Sequence, residues 1–293
     1  MSKAVWTWGG SVAIVVVLIW RLGTSPFIDG IRTVDGPALA AAVGVALVTT
    51  VACAWRWKLV ARGLGVDLPL PVAVAAYYRS LFINVTLPGG IVGDVHRGIS
   101  HGRDVRDVGL VLRTVAWERF AGQIVQAVLT VAVLLVLPSP VRSAMPLVAI
   151  AVLAGVACVV LVARRRSAWA AWPRIALASA VVVCGHAITF LIAARTAGVA
   201  APPSRMLPLA LLVMLVMVLP SVGGWGPREG ATAWAFGAAG LGAAHGVATA
   251  TVYGVMVLVG TLPGAAFLVV SWLRRARSPD VSPARLAQEA AHA

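Results

Sequence analysis

The amino-acid sequence predicts an all-α polytopic membrane protein with about six transmembrane helices and two re-entrant hairpins in an inverted repeat. Apolar residues fill 60% of the 293 positions and the mean hydropathy is +0.92, where soluble domains hold roughly 45–50% apolar residues. The charged residues, 12% of the chain, fall in short clusters between apolar runs close to the ~20 residues that cross a bilayer. Two shorter apolar runs each stop at a proline and glycine break, Leu87-Pro88-Gly89-Gly90 and Leu219-Pro220-Ser221-Val222-Gly223-Gly224.

The first run, about 5–20, follows Lys3 where a signal peptide would, but Arg21 to Pro26 offers no small-x-small cleavage site. It reads as a retained anchor. Runs at about 38–55, 108–137, 144–163, 175–194 and 245–272 complete the six crossings. The runs at about 70–87 and 206–219 are candidate half-helices. Basic residues decide whether these two cross. With a cytoplasmic N-terminus, the inner loops hold fourteen Lys and Arg, Arg56 among them, and the outer loops hold Arg21, Arg32, Arg142, Arg195 and Arg205. That positive-inside bias holds only if each short run returns to the side it entered from. One integral-membrane domain then covers 1–277, with repeat one at about 5–137 and repeat two at about 144–272. Residues 278–293 are read as a flexible cytoplasmic tail. Paired interruptions at matching places in two halves point to a transporter's binding site. The expected location is the inner, cytoplasmic membrane, with both termini cytoplasmic.

The formal net charge of +14 suits loops facing anionic lipid. A nucleic-acid partner needs a charged soluble face, which this composition does not supply. Cys53, Cys158 and Cys184 each lie inside an apolar run and read as small buried hydrophobes, with no disulfide and no metal. His96 and His101 with Asp94 and Asp104 follow no metal-ligand spacing. There is no Gly-x-x-x-x-Gly-Lys-Ser/Thr phosphate loop, so no nucleotide and no other cofactor is expected.

The first tip and its return run from Asn84 to Arg97. Non-helical backbone at membrane depth must be buried in protein or line a wet cavity. Gly89 and Gly90 let the backbone approach a ligand, and Arg97 offers a planar fork matched to phosphate. The plainer alternative pairs Asp94 with Arg97 three residues on, along one helix face. The second tip holds Gly223 and Gly224, then Pro227-Arg228-Glu229. Pro227 suits the first turn of a helix, which places Arg228 and Glu229 at its positive end; a simple cap is the other reading of Glu229. Within 108–137, Glu118 and Arg119 are costly intramembrane charges that need partners or water, or else a snorkelling pair near the interface. Arg119, Gln123, Gln126 and Thr130 share one helix face. His186 and His245 read as structural.

The two tips, with Tyr77-Tyr78 ahead of the first, Gly93-Asp94 and Arg97 behind it, Glu118-Arg119, and Gly223-Gly224-x-Gly226-x-Arg228-Glu229, together resemble one family. It is the lysylphosphatidylglycerol synthase transmembrane, or flippase-like, family, and the resemblance runs from roughly Val5 to Leu273. It implies a membrane part that moves charged phospholipids between leaflets. With no aminoacyl-transfer domain after Arg277, lysyl transfer is not implied. The expected function is therefore translocation of an anionic lipid or lipid-linked phosphate. Arg97, Arg228 and Arg119 would take the phosphate, and Asp94, Glu118 and Glu229 would balance charge. Asn84, Tyr78, Gln123 and the tip glycines complete the expected site. Two alternatives stand beside it: a membrane-embedded lipid-phosphate enzyme with Asp94 or Glu118 as base, and an accessory subunit for a separately encoded cell-envelope glycosyltransferase. Anionic membrane lipids are the expected partners, and Gly237, Gly240, Gly242 and Gly246 permit close contact within the chain or in a homo-oligomer.

Overall fold

The computed structural model describes residues 2–87, 89–163, 171–217, 221 and 224–277. The expected tail at 278–293 and the arginine run at 164–166 lie outside them. Among the described residues there is no strand. The helices are α1 (Ser2–Leu22), α2 (Ser25–Arg32), α3 (Gly36–Gly63), α4 (Leu70–Thr86), α5 (Val92–Asp104), α6 (Val108–Val136), α7 (Met145–Ala163), α8 (Trp172–Thr196), α9 (Pro203–Val216), α10 (Pro227–Ala238) and α11 (Ala243–Arg277).

Four of these, α3, α6, α8 and Ala243–Leu273 of α11, are long and apolar enough to cross a membrane. The bent pair Val12–Leu22 and Ser25–Arg32, which meet at 98°, makes a fifth if taken as one span. The sequence expects six. In α7 the qualifying apolar stretch is short, Pro146–Gly155.

The element boundaries follow from local chemistry. Asp35 caps α3 by accepting from the Ala38 N–H at 2.7 Å, and Asp107 caps α6 through the Leu110 N–H at 2.8 Å. Each supplies an acceptor for one of the N–H groups that a helix start leaves unpaired. α4 stops where Leu87 turns extended, at φ −104° and ψ 151°, as the clash with a following proline requires. α10 starts after Gly226, whose φ of +91° is a conformation L side chains rarely adopt.

α4 and α5 form an antiparallel hairpin, as do α9 and α10. In the first, Gly93 lies so close to the Ser80 carbonyl that a methyl group there could not fit. In the second, Arg205 in the first turn of α9 donates to the Ala239 carbonyl just past α10, at 2.9 Å. The ends of the second hairpin therefore lie side by side. With 17 residues in α4 and 14 in α9, these limbs are about 25 and 21 Å long at 1.5 Å per residue, short of a ~30 Å hydrocarbon core. The two tips meet: the Gly89 N–H donates to the Ser221 carbonyl at 2.9 Å.

Long helices clamp the hairpins together. α11 sets Gly246 against the Thr232 carbonyl of α10 and Gly264 against the Tyr78 carbonyl of α4, so it touches both. α3 packs along α8, with Gly185 receiving the Thr49 side chain. The far end of α6 places Leu129 and Val133 on a cluster of Val183, Ala187, Leu211 and Met214.

Candidate functional site

At the first hairpin, side chains from α3, α4 and α5 converge on one carboxylate of α6. Glu118 of α6 has no exposed surface. Its Oε1 accepts from Arg56 Nε at 2.7 Å and from the Tyr77 hydroxyl at 2.9 Å, and its Oε2 accepts from Arg97 Nη2 at 2.8 Å. Arg56 goes on to donate from Nη1 to Ser179 Oγ of α8 at 3.0 Å. Arg97 donates from Nε to Asp94 Oδ1 at 3.0 Å, while its guanidinium carbon lies 4.1 Å from the Tyr77 ring centre and 4.4 Å from that of Trp57. Two rings and two carboxylates thus enclose this cation, and charge-assisted bonds with ring stacking are the arrangement in which buried Arg is best accommodated.

Asp94 carries the network outward to the tip. Its Oδ2 accepts from Asn84 Nδ2 at 2.8 Å, and Asn84 Oδ1 accepts from the Gly93 N–H at 2.7 Å. The same carboxylate oxygen pairs with Arg119 Nη2 at 2.5 Å, and Arg119 also donates to the Gly90 carbonyl at 3.3 Å. Here the enclosure ends: the Arg119 side chain is 42% exposed. Three guanidiniums (Arg56, Arg97, Arg119) face two carboxylates (Asp94, Glu118), which leaves one positive charge, and the open member is Arg119.

The second hairpin is built differently. Arg228 and Glu229 are both buried and pair with each other, Nη2 to Oε1 at 2.6 Å. Glu229 Oε2 accepts from the Gly226 N–H at 2.7 Å, so it is a helix cap and an ion-pair partner at once. Arg228 lies 4.9 Å from the Trp225 ring centre and 5.8 Å from that of Tyr253, and Tyr253 hydrogen-bonds His186 Nδ1 at 2.9 Å. This network is neutral and closed. The Gly224 N–H, at the tip, donates to Ser221 Oγ at 3.1 Å.

Most of the sequence-predicted residues are therefore brought together: Asn84, Gly89, Gly90, Asp94, Arg97, Glu118 and Arg119 at the first hairpin, Gly224, Arg228 and Glu229 at the second. Gly223 lies outside the described residues. Gln123 is half-buried, one turn beyond Arg119. Tyr78 points elsewhere, packing its ring against Phe267 of α11 at 6.1 Å, and Tyr77 takes the place expected of it. Three kinds of residue escaped sequence reasoning. Arg56 is no loop charge: it is buried within α3, and α3 continues to Gly63. Trp57 walls the cation and donates to Thr114 at 2.9 Å. Gly122 and Gly254 make room for guanidiniums, a methyl at Gly122 falling 2.6 Å from Arg56 Nη1 and one at Gly254 closer still to Arg228. A glycine one turn after Glu118 on the same helix was the available signal for the first.

Residues 8–168 match the family model of the lysylphosphatidylglycerol synthase TM region. The chain belongs to this family. No curated protein matches it. The sequence reading carries the resemblance on to Leu273, whereas the synthase-region match ends at 168. The matched stretch contains the first hairpin and all but Ser179 of its network; the second hairpin lies outside it. Membership and the apolar helices together make this a multi-pass membrane protein.

Proposed function

We propose that the protein translocates an anionic lipid or lipid-linked phosphate between leaflets of the cytoplasmic membrane, with Arg119 as the residue that takes the phosphate. The observation that carries this reading is the half-exposed Arg119 side chain beside the meeting hairpin tips. Arg119 stands 11 residues after the start of α6, about 16 Å along the helix and so near mid-depth of a ~30 Å core. A cation there needs water or an anion. The surplus positive charge of the first network favours the anion. A phosphate oxygen competes with Asp94 for the same guanidinium edge.

In this reading Arg97 and Arg228 hold structure while Arg119 binds. Arg97 ties the hairpin to α6, and Arg228 secures the start of α10. The order long helix, hairpin, long helix recurs as α3, α4–α5, α6 and as α8, α9–α10, α11, which supports two repeats of opposite orientation with hairpins entering from opposite faces. Alternating access then consists of one repeat rocking against the other about the Gly89 to Ser221 contact.

The test is leaflet exchange of fluorescent phosphatidylglycerol in liposomes containing purified protein, read by external quenching. Wild type should exceed empty liposomes, and Arg119→Ala should fall to their level while keeping its melting temperature. Wild-type exchange at the empty-liposome level across anionic lipids refutes translocation and favours the enzyme or accessory-subunit reading.

A further inference from the structure

Beyond Arg119, α6 carries Gln123, Gln126 and Thr130 on the same face, at four, seven and eleven residues' distance. At 1.5 Å per residue the stripe extends about 16 Å past the arginine, beyond the tip of the first hairpin, whose Gly90 carbonyl Arg119 contacts. Among the described residues neither Gln123 nor Gln126 makes a hydrogen bond, and both are only half-buried. Thr130 is fully buried and its hydroxyl has no partner either. Of the exposed apolar residues of this helix, Trp117, Val128 and Leu135 lie on its other side, while Phe120 flanks Gln123 three residues before it. The amides thus lie along the edge of the bundle-facing side of the helix.

Unpaired amides inside a membrane are costly, and the large majority of enclosed polar groups find a protein, water or ligand partner. Three in a row, continuing from the half-exposed Arg119, form a polar path with no charge of its own. We infer that this face of α6 is the track along which a lipid headgroup leaves Arg119, and that its amides receive the hydroxyl groups of a phosphodiester headgroup. The inference rests on the translocation reading above. Gln123 sits about 6 Å along the helix from Arg119, the reach from a phosphate to a hydroxyl on the alcohol it esterifies. A carboxamide donates and accepts at once and so matches a hydroxyl, and its neutrality lets the phosphate pass without being held.

The experiment compares fluorescent phosphatidylinositol with phosphatidylethanol, two lipids of equal charge that differ in headgroup hydroxyls, using the full chain in liposomes. Wild type should move phosphatidylinositol about tenfold faster, the worth of one or two hydrogen bonds. Gln123→Leu/Gln126→Leu should erase that preference while keeping the wild-type melting temperature, which reports that the variant is folded. Thr130→Val, a shape-conserving change, should narrow the preference in the same direction. A preference that survives the double substitution overturns the track. Equal wild-type rates for the two lipids overturn it while sparing translocation, and no exchange of either overturns both.

Discussion

Replacing Glu118 by Gln removes one charge from the centre of the first network and changes almost nothing in shape. Its two oxygens accept from Arg56, Tyr77 and Arg97, all three buried. A carboxamide keeps one acceptor oxygen and turns an NH₂ group towards guanidinium donors. The two buried arginines are then left with Asp94, which of the two only Arg97 contacts and which already pairs with Arg119. Removing one partner of a buried ion pair costs roughly 3–5 kcal/mol. At about 2–4 °C per kcal/mol for chains of 150–250 residues, the melting temperature should fall by on the order of 10 °C. The assay is thermal unfolding in detergent, followed by tryptophan fluorescence. Glu118→Gln combined with Arg97→Gln should lose less than the sum of the two single changes, because the second removes a cation that the first leaves unpaired. If Glu118→Gln melts within about 2 °C of wild type, the carboxylate is not what holds the two arginines in place, and the structural role given to Arg97 is wrong.

The guanidinium seats can be tested by filling them. Gly254→Ala, which sets a methyl against Arg228 of α10, should lower the melting temperature more than Gly36→Ala, a helical glycine with open space around it. At the tip, Asn84→Ala removes one bond to Asp94 and one from the Gly93 N–H. It should cost about 1–3 kcal/mol, and hydrogen exchange should show the Gly93 amide losing protection first.

How far the sequence could be read depended on whether a feature was local. The crossings at 108–137 and 175–194 reappear within a few residues as α6 and α8, and the run at 144–163 reappears as the helix α7, since unbroken apolar runs are written in consecutive positions. The apolar run at 38–55 stops short of the end of α3 because Arg56 and Lys58 end a hydropathy window, although Leu59, Val60 and Ala61 carry the helix on to Gly63. The burial of Arg56 depends on Glu118, 62 residues away, and no periodicity spans that gap. Arg119 was legible as a polar residue on an apolar helix. Its openness was not, since exposure depends on where α5 begins and how the tips meet. The choice between Tyr77 and Tyr78 turned on helix phase: one faces α5 and the other α11, and two adjacent tyrosines give no preference. Glu229 shows two sequence readings satisfied together, as cap and as counter-ion.

Pro263 stands immediately before Gly264, the residue of α11 that lies against the Tyr78 carbonyl. Lacking an N–H, it leaves the Val259 carbonyl without its usual partner one turn back. The upstream length of α11, with Gly246 and Gly254, seats the second hairpin; the length beginning at this proline seats the first. A stiff rod touching both would make them travel together, whereas a rod weakened at this one turn is jointed. Any independent motion of the two hairpins therefore has a natural elbow, placed by a single missing proton between the two seats.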